Sequence, residues 1–368
     1  MMTQKSGVRL PKKVILQNCF HLGTILPLHH LIEMPLMGEW EEELQRFRKL
    51  TLSCWYLTGP TGVGKSKVGL ALARSLDAEI ISMDSMAVYR EMDIGTAKLA
   101  PEDREGIPHH LIDVVDPSEN YSLAQYVNEA ADKIAAIHLR NKNVLFVGGT
   151  LLYLKAMLRG IFEGPPADQD FRKELQRKVQ GQPPEVLHKL LKKVDPVLAK
   201  KLHPNDVKRV VRALEVYEKT GKPLSSFQKQ FEVGTKPEKC NVYVMQMPRE
   251  LVYERINKRV DRMIYDGLLD EVKMLAHRNF PIGTSARQAL GYKELFDYLD
   301  GKSTYPQAVE FIKQNTRNFA KRQETWFRGL CECRFIPADK PVFEGVDDLH
   351  LKEPTQHSSG HRAAFEEE

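Results

Sequence analysis

The sequence predicts an α/β protein, a parallel sheet wrapped by helices with a small all-helical domain inserted into it. Three observations carry that prediction. Short apolar runs rich in β-formers, at 54–58, 79–83, 143–147 and 241–247, alternate with segments whose apolar residues recur at helical spacing. One of these alternations is a strand, a glycine loop and a helix in immediate succession, CWYLT-GPTGVGKS-KVGLALARSL. Between residues 168 and 235, by contrast, every periodic segment is helical.

The glycine loop matches G-x-x-x-x-G-K-[ST] at Gly59, Gly64, Lys65 and Ser66, so the core is of the P-loop NTPase-like kind. Its glycines let the backbone curl round an oxyanion and aim N–H groups inward, and the helix that follows adds its positive end. Gly59, Pro60, Thr61, Gly62, Val63, Gly64, Lys65 and Ser66 are the expected diphosphate-binding residues. Lys65 supplies a full charge and the Ser66 hydroxyl a Mg²⁺ ligand. These features predict a bound diphosphate or triphosphate.

The second strand, 79–83, ends in Asp84-Ser85. A carboxylate at the carboxyl end of such a strand faces the ligand crevice of α/β sheets, although Asp is also a common turn cap. Residues 89–98 (YREMDIGTAK) read as a polar loop over the site, and 110–115 as a further strand stopped by Asp116-Pro117. Ser122 caps a helix running to Arg140. The buried strand 143–147 is followed by Gly148-Gly149-Thr150, where an ATP-hydrolysing protein often has an acidic residue for Mg²⁺ and water. That substitution argues against a motor or switch. Two glycines there permit a close backbone approach.

The predicted organisation is an extension at 1–50, expected to be poorly ordered, in which 40–50 fits a short charged helix; a core at 51–166 and 236–338; a helical insertion at 167–235; and a polar tail at 339–368, expected to be disordered. Helices are predicted in the insertion at 171–179, 184–193, 196–202 and 206–220, the last closed by Gly221. The core resumes with strand 241–247 and helices at 249–265, 286–299 and 305–328. On the first of these, Arg255, Arg259 and Arg262 share a side, an arrangement suited to clamping a diphosphate or to surface ion pairs with Glu254 and Asp261.

Charge distribution says more than total charge. The whole 368-residue chain carries +5, while residues 168–235 hold 15 Lys/Arg against 9 Asp/Glu. A basic excess confined to one domain is the footprint of a nucleic-acid partner. Lys208-Arg209-Val210-Val211-Arg212 is the densest cluster, and 316–328 interleaves Arg and Lys with aromatics. The five cysteines, Cys19, Cys54, Cys240, Cys331 and Cys333, are odd in number and scattered, which fits a reducing, cytoplasmic setting. Cys331 and Cys333 read as alternate faces of a late strand, without zinc spacing. No apolar run is long enough to span a bilayer, and polar breaks within 14–32 argue against a signal peptide.

Taken together, GPTGVGKS, ISMDSMAVYREMDIGTAK, HHLIDVVDPSENYS, LFVGGTLLY, HPNDVKRVVRALEVYEKTGKPLS, QALGYKEL and TRNFAKRQETWFR resemble the tRNA dimethylallyltransferase (tRNA isopentenyltransferase) family, from Trp55 to Phe335. The C-terminal zinc finger of eukaryotic members is not visible, so the resemblance is to the bacterial or organellar type. It implies transfer of a dimethylallyl group from dimethylallyl diphosphate to the exocyclic amine of the adenosine 3′ to the anticodon, in tRNAs reading U-initial codons. The expected partners are therefore the anticodon stem-loop of tRNA and dimethylallyl diphosphate, met by a monomer with Mg²⁺ as cofactor. By the same resemblance Asp84 is the general base, Lys65 and Arg259 stabilise the departing diphosphate, Ser66 holds the metal, and Thr150 lines the reaction channel. Asp84, Ser85, Met86, Ala87, Thr150, Arg172, Lys208, Arg209, Val210, Val211, Arg212 and Gln288 correspond to tRNA contacts. Lys208 departs from the Gln of some relatives. Two other readings stay open: an adenylate isopentenyltransferase acting on a free nucleotide, and an ATP-dependent small-molecule kinase. The basic insertion argues against both.

Overall fold

The computed structural model describes residues 37–161, 164–165, 167–227 and 234–339. The expectations for residues 1–36 and for the tail beyond 339, and Cys19 among them, lie outside the described residues. The chain divides after Glu41 into two units, and of the first only residues 37–41, the opening turn of a helix, are described. In chain order the elements are α1 (Met37–Leu52), β1 (Trp55–Thr58), α2 (Lys65–Ser75), β2 (Ala78–Ser82), β3 (His109–His110), α3 (Leu123–Leu139), β4 (Asn143–Val147), α4 (Leu151–Arg159), α5 (Gln169–Lys178), α6 (Glu185–Val194), α7 (Pro196–Lys201), α8 (Val207–Thr220), α9 (Leu224–Phe227), β5 (Asn241–Gln246), α10 (Arg249–Tyr265), α11 (Leu268–Ala276), α12 (Thr284–Arg287), α13 (Tyr292–Leu299), α14 (Tyr305–Arg328) and β6 (Arg334–Pro337).

The strands form a six-stranded sheet in the order β3-β2-β4-β1-β5-β6, parallel throughout. Successive side chains on a strand point to opposite faces, and the core divides accordingly. Tyr56, Phe146, Val242 and Val244 pack against α3 and α4 on one face. Leu57, Leu145, Tyr243 and Met245 pack against α2 on the other. Both faces are covered, which is why the strands read as continuous apolar runs. Tyr56 and Phe146, neighbours in register, stack at 4.9 Å between ring centroids, worth about 0.5–1.5 kcal/mol beyond burial alone.

Two further cores flank this one. Helices α10, α11, α13 and α14 close round Val88, Tyr89 and Met92 beside the carboxyl ends of the strands. The insertion has its own core, built from Leu187 and Leu191 of α6, Leu198 and Ala199 of α7, and Val210, Val211, Leu214 and Val216 of α8.

Several predicted bounds change. The strand expected at 110–115 is only His109–His110, because Leu111 and Asp113 adopt φ of 59° and 58°, outside the extended region. The helix expected at 286–299 is two, α12 and α13, separated where Gly291 takes φ 89°. Cys331 and Cys333 lie in the turn before β6 rather than on it. The charged helix expected at 40–50 is α1, whose Phe47 and Leu50 pack against the main core. Helices α4, α9 and α11 are additional to those the sequence predicts.

Candidate active site

The loop after β1 curls through Gly59, Gly62 and Gly64, at φ of 145°, 84° and 98°, and delivers the chain to the first turn of α2. Lys65, the first residue of α2, folds back so that its Nζ donates to the carbonyls of Gly59 at 3.0 Å and Pro60 at 2.9 Å. Its pKa is pushed down to about 8, first by burial and then by the Arg259 charge, with Asp84 opposing.

The arginine row of α10 separates. Arg259 donates to Thr61 Oγ1 at 3.1 Å, and Arg255 to the Val63 carbonyl at 3.5 Å. Burial holds the Arg259 guanidinium below its ordinary range while the Asp84 charge works against that. Arg262 instead turns outward to Asp266, at 2.8 Å, beside the Tyr265 ring. Arg255 and Arg259 thus serve the loop and Arg262 does not. The ion pairs foreseen with Glu254 and Asp261 are made by Lys258 and Lys313.

Across the crevice, Asp84 follows β2. Its Oδ1 accepts the Met86 N–H at 2.8 Å and the Ala87 N–H at 3.4 Å, so the capping role weighed in the sequence is real. Oδ2 has no partner among the described residues. Asp84 therefore does both jobs, one oxygen shaping the turn and one free. Thr150 stands beside it, its Oγ1 accepting the Ser85 N–H at 3.0 Å. The two glycines before Thr150 permit the close approach expected. A Cβ on Gly148 would lie 2.2 Å from the Met83 carbonyl oxygen, and one on Gly149 would lie 2.6 Å from Gln323 Nε2. The polar loop at 89–98 is braced from behind. Glu271 of α11 accepts the N–H groups of Asp93, Ile94 and Gly95, and Lys98 bonds Asp93 at 2.7 Å.

These parts enclose one cavity of ≈ 690 Å³. Thr61, Lys65, Ser66, Asp84, Thr150, Arg259 and Gln288 all line it. One wall is apolar, formed by Ile256, Val260, Met263, Ile312 and Phe319, with Arg322 beside it. Two cations, a carboxylate oxygen without a partner among the described residues and an apolar wall, all lining one cavity, suit a ligand with an anionic end, a hydrocarbon part and a reacting group near Asp84. The Ser66 hydroxyl opens into the same space. No cluster of His, Cys, Asp or Glu fit for a metal occurs among the described residues. A hydroxyl suffices where phosphate oxygens and water supply the remaining ligands, as they commonly do for Mg²⁺.

The sequence missed Gln323. It is 2% exposed; its Oε1 accepts the Thr61 N–H at 2.9 Å and its Nε2 donates to the Gly149 carbonyl at 2.7 Å. The signal was the apolar stripe of α14, in which a Gln at 323 falls on the inward side with Ile312, Ala320 and Phe327.

The basic insertion is corrected in two ways. Val210 and Val211 are buried in its core, so their side chains cannot meet a partner. Arg172 and Arg212 converge on Glu215, which is fully buried, at 2.8 Å and 2.6 Å, and Arg212 also donates to the Pro165 carbonyl at 2.8 Å. Burial pushes the Glu215 carboxyl up, but hydrogen bonds from Arg172, Arg212 and the Asp168 N–H override it and hold the group below its usual range. Lys208 and Arg209 remain exposed, Arg209 beside Asp206 at 3.3 Å.

The chain is similar to known proteins over most of its length. The family model described as IPP transferase matches residues 87–330. A tRNA dimethylallyltransferase of Carboxydothermus hydrogenoformans is 45% identical over 298 residues, 81% of this chain and 96% of that protein. One from Thermotoga maritima is 46% identical over 294 residues, 80% of this chain and 94% of that protein. Among solved structures, the full-length tRNA isopentenylpyrophosphate transferase of Bacillus halodurans is 42% identical with a TM-score of 0.57, over 78% of this chain and 90% of that one. A eukaryotic dimethylallyltransferase acting on tRNA is 33% identical with a TM-score of 0.63, over 77% of this chain and 73% of that one.

Proposed function

The chain belongs to the IPP transferase family, and from that premise we propose that it moves a dimethylallyl group from dimethylallyl diphosphate to the exocyclic amine of the adenosine 3′ to the anticodon, in tRNAs reading U-initial codons. It is a prenyltransferase that modifies tRNA. The observation that supports the finer reading is that Lys65, Arg259 and Asp84, one of whose oxygens has no partner among the described residues, line the same cavity.

In this reaction a C–N bond forms as the C–O bond to diphosphate breaks, and the amine gives up a proton. An exocyclic amine is a weak nucleophile because its lone pair is delocalised into the ring. Asp84 Oδ2 takes its proton as the bond forms. The carboxylate is aimed by its own Oδ1, which the Met86 and Ala87 N–H groups tie down. Lys65, Arg259 and the N–H groups at the start of α2 meet the negative charge that grows on the leaving diphosphate, an electrostatic contribution that is usually the largest. Lys65 now donates to two carbonyls, and arrival of the diphosphate draws its ammonium forward. A Mg²⁺ ion held by Ser66 and the phosphate oxygens would supply further charge neutralisation there. The adenine must leave its stack to enter the cavity, where Thr150 and Gln288 line its path.

The experiment uses purified protein, Mg²⁺, labelled dimethylallyl diphosphate and three acceptors: unmodified tRNA, AMP and ATP. Label at one adenosine beside the anticodon is expected. Label on AMP or ATP alone would overturn the acceptor. No transfer, with ATP consumed in the presence of hydroxylated metabolites, would overturn the reaction.

A further inference from the structure

We propose that Gln323 is a positioning residue, the joint that fixes the diphosphate loop against the turn leading to the base, and so fixes the leaving group against Asp84. The inference rests on the transferase reading above.

Its two hydrogen bonds are divided between the two loops. The Thr61 N–H belongs to the diphosphate loop, and the Gly149 carbonyl belongs to the turn after β4. Each bond leads on to a group placed in the site. From Thr61 the next contact is Arg259, through the threonine hydroxyl. From Gly149 the chain passes to Thr150, whose Oγ1 holds the Ser85 N–H next to Asp84. One buried amide therefore stands in series between a cation meant for the diphosphate and the loop carrying the base.

The chemistry of the side chain suits that place. A primary amide carries an acceptor and a donor on one rigid plane, so it can take an N–H from one loop and give an N–H to the other. A carboxylate could only accept, and a thioether could do neither well. The seat is cut to fit, because a Cβ on Gly149 would intrude to 2.6 Å of the Gln323 nitrogen. Thr58, which donates to the Gly148 carbonyl at 2.7 Å, ties the ends of β1 and β4 one residue earlier, where the sheet already fixes them. Gln323 acts further out, where the sheet no longer does. Its bond to Thr61 also occupies that N–H, which leaves the amides from Gly62 to Ser66 for the diphosphate. The backbone of Gln323 lies in α14, whose Asn315 bonds Glu294 of α13 at 2.7 Å, so the joint is anchored to the helical layer rather than to either loop.

Two variants test this. Gln323→Met keeps the volume and removes both bonds, and Gln323→Glu keeps an acceptor for the Thr61 N–H while removing the donor to the Gly149 carbonyl. Single-turnover transfer of labelled dimethylallyl groups to tRNA is measured at saturating substrates, together with tRNA affinity and the thermal midpoint. A misplacement of reacting groups by about 1 Å can slow a reaction about 100-fold. Each variant is expected to lose about 10- to 100-fold in rate, with tRNA affinity within about threefold. Combined with Thr150→Val, which breaks the next link, the loss from Gln323→Met is expected to be less than multiplicative. A rate within about twofold of the unaltered protein in either folded variant would overturn the proposal. So would losses that multiply independently with Thr150→Val, or losses that merely follow the fraction folded. Absence of transfer by the unaltered protein would instead defeat the functional reading, and this role with it.

Discussion

The crevice and the insertion both gather cations, and they treat them in opposite ways. In the crevice, Lys65 and Arg259 bond neutral oxygens, carbonyls and a hydroxyl, among the described residues. Asp84 is near enough to influence both, yet it spends one oxygen on its own turn and keeps the other open. In the insertion, Arg172 and Arg212 both pair with one buried carboxylate, Glu215, which offsets one of their two charges. The first arrangement holds charge in reserve for a ligand, and the second consumes it in folding. A basic cluster in a sequence thus divides, in the fold, between charges tied to a buried carboxylate and charges left at the surface.

The sharpest test of that contrast is at Asp84. Asp84→Asn keeps an oxygen for the Met86 and Ala87 N–H groups and removes only the proton acceptor. Turnover is expected to fall about 10²- to 10⁴-fold, while tRNA affinity moves by less than about threefold. Single-turnover transfer and filter binding measure the two. Equal losses in both would mean that Asp84 holds the tRNA and does not serve as base.

Glu215 is the matching test in the insertion, and its effect belongs to stability. Glu215→Ala leaves two half-buried guanidinium groups without their anion. Removing one partner of a buried pair costs about 3–5 kcal/mol, read from urea unfolding. The pH dependence has a definite sign. The folded-state pKa of Glu215 is depressed, so its stabilisation is present above the unfolded value of about 4.3 and is lost as pH falls through the lower folded value. A Glu215→Ala protein as stable as the parent would show that the triad is ornamental and would return Arg172 and Arg212 to the candidate tRNA surface.

Legibility followed sequence distance. The glycine loop is one local segment, so glycines, lysine and helix start could be read directly, and Asp84 could be placed because strands deliver their last residues to one edge. Arg259 was found by spacing, but the same spacing wrongly included Arg262, since a helix face of three arginines does not say which one a nearby Asp266 will capture. Val210 and Val211 were legible in principle, as they continue the apolar period of α8 through Leu214. Taking the cluster as a unit hid it. The inward place of Gln323 was legible in the stripe of α14, but its partners were not, because Thr61 and Gly149 lie 262 and 174 residues away. Nor could local pattern show that Leu111 and Asp113 would cut the third strand to two residues.

Lys65 offers a smaller effect that sharpens the crevice side. In the free protein its pKa is about 8, below the ordinary value of about 10.4. Diphosphate needs the ammonium form, so affinity for inorganic diphosphate is expected to fall as pH rises through 8, approaching about tenfold per pH unit. Binding should take up protons in the same range. The stability effect has the opposite slope: between about pH 8 and 10.4 the unfolded chain holds more protons at this site, so the contribution of Lys65 to stability rises with pH. Calorimetry in buffers of different ionisation enthalpy measures the uptake. Affinity flat from pH 7 to 9.5 would mean that Lys65 stays charged in the free crevice and is not held in the way its surroundings suggest.

The smallest effect is expected where the insertion most resembles a binding surface. Lys208 and Arg209 are exposed at the start of α8, and Arg209 has only the partly exposed Asp206 beside it. Each can neutralise one phosphate without disturbing the core beneath. Lys208→Ala and Arg209→Ala should leave the thermal midpoint unchanged and weaken tRNA binding a few-fold at moderate salt. The slope of log affinity against log salt should fall by about 0.7–0.9 for each phosphate no longer neutralised. Arg212→Ala should differ in kind, since its loss strips Glu215 of a partner and lowers stability before it touches binding. If all three substitutions changed the salt slope alike and none changed stability, the division between charges spent on the fold and charges kept for the partner would be drawn in the wrong place. If Lys208 and Arg209 changed nothing, the tRNA would have to meet the insertion on another face, and the exposed lysines of α6, Lys192 and Lys193, would be the next to replace.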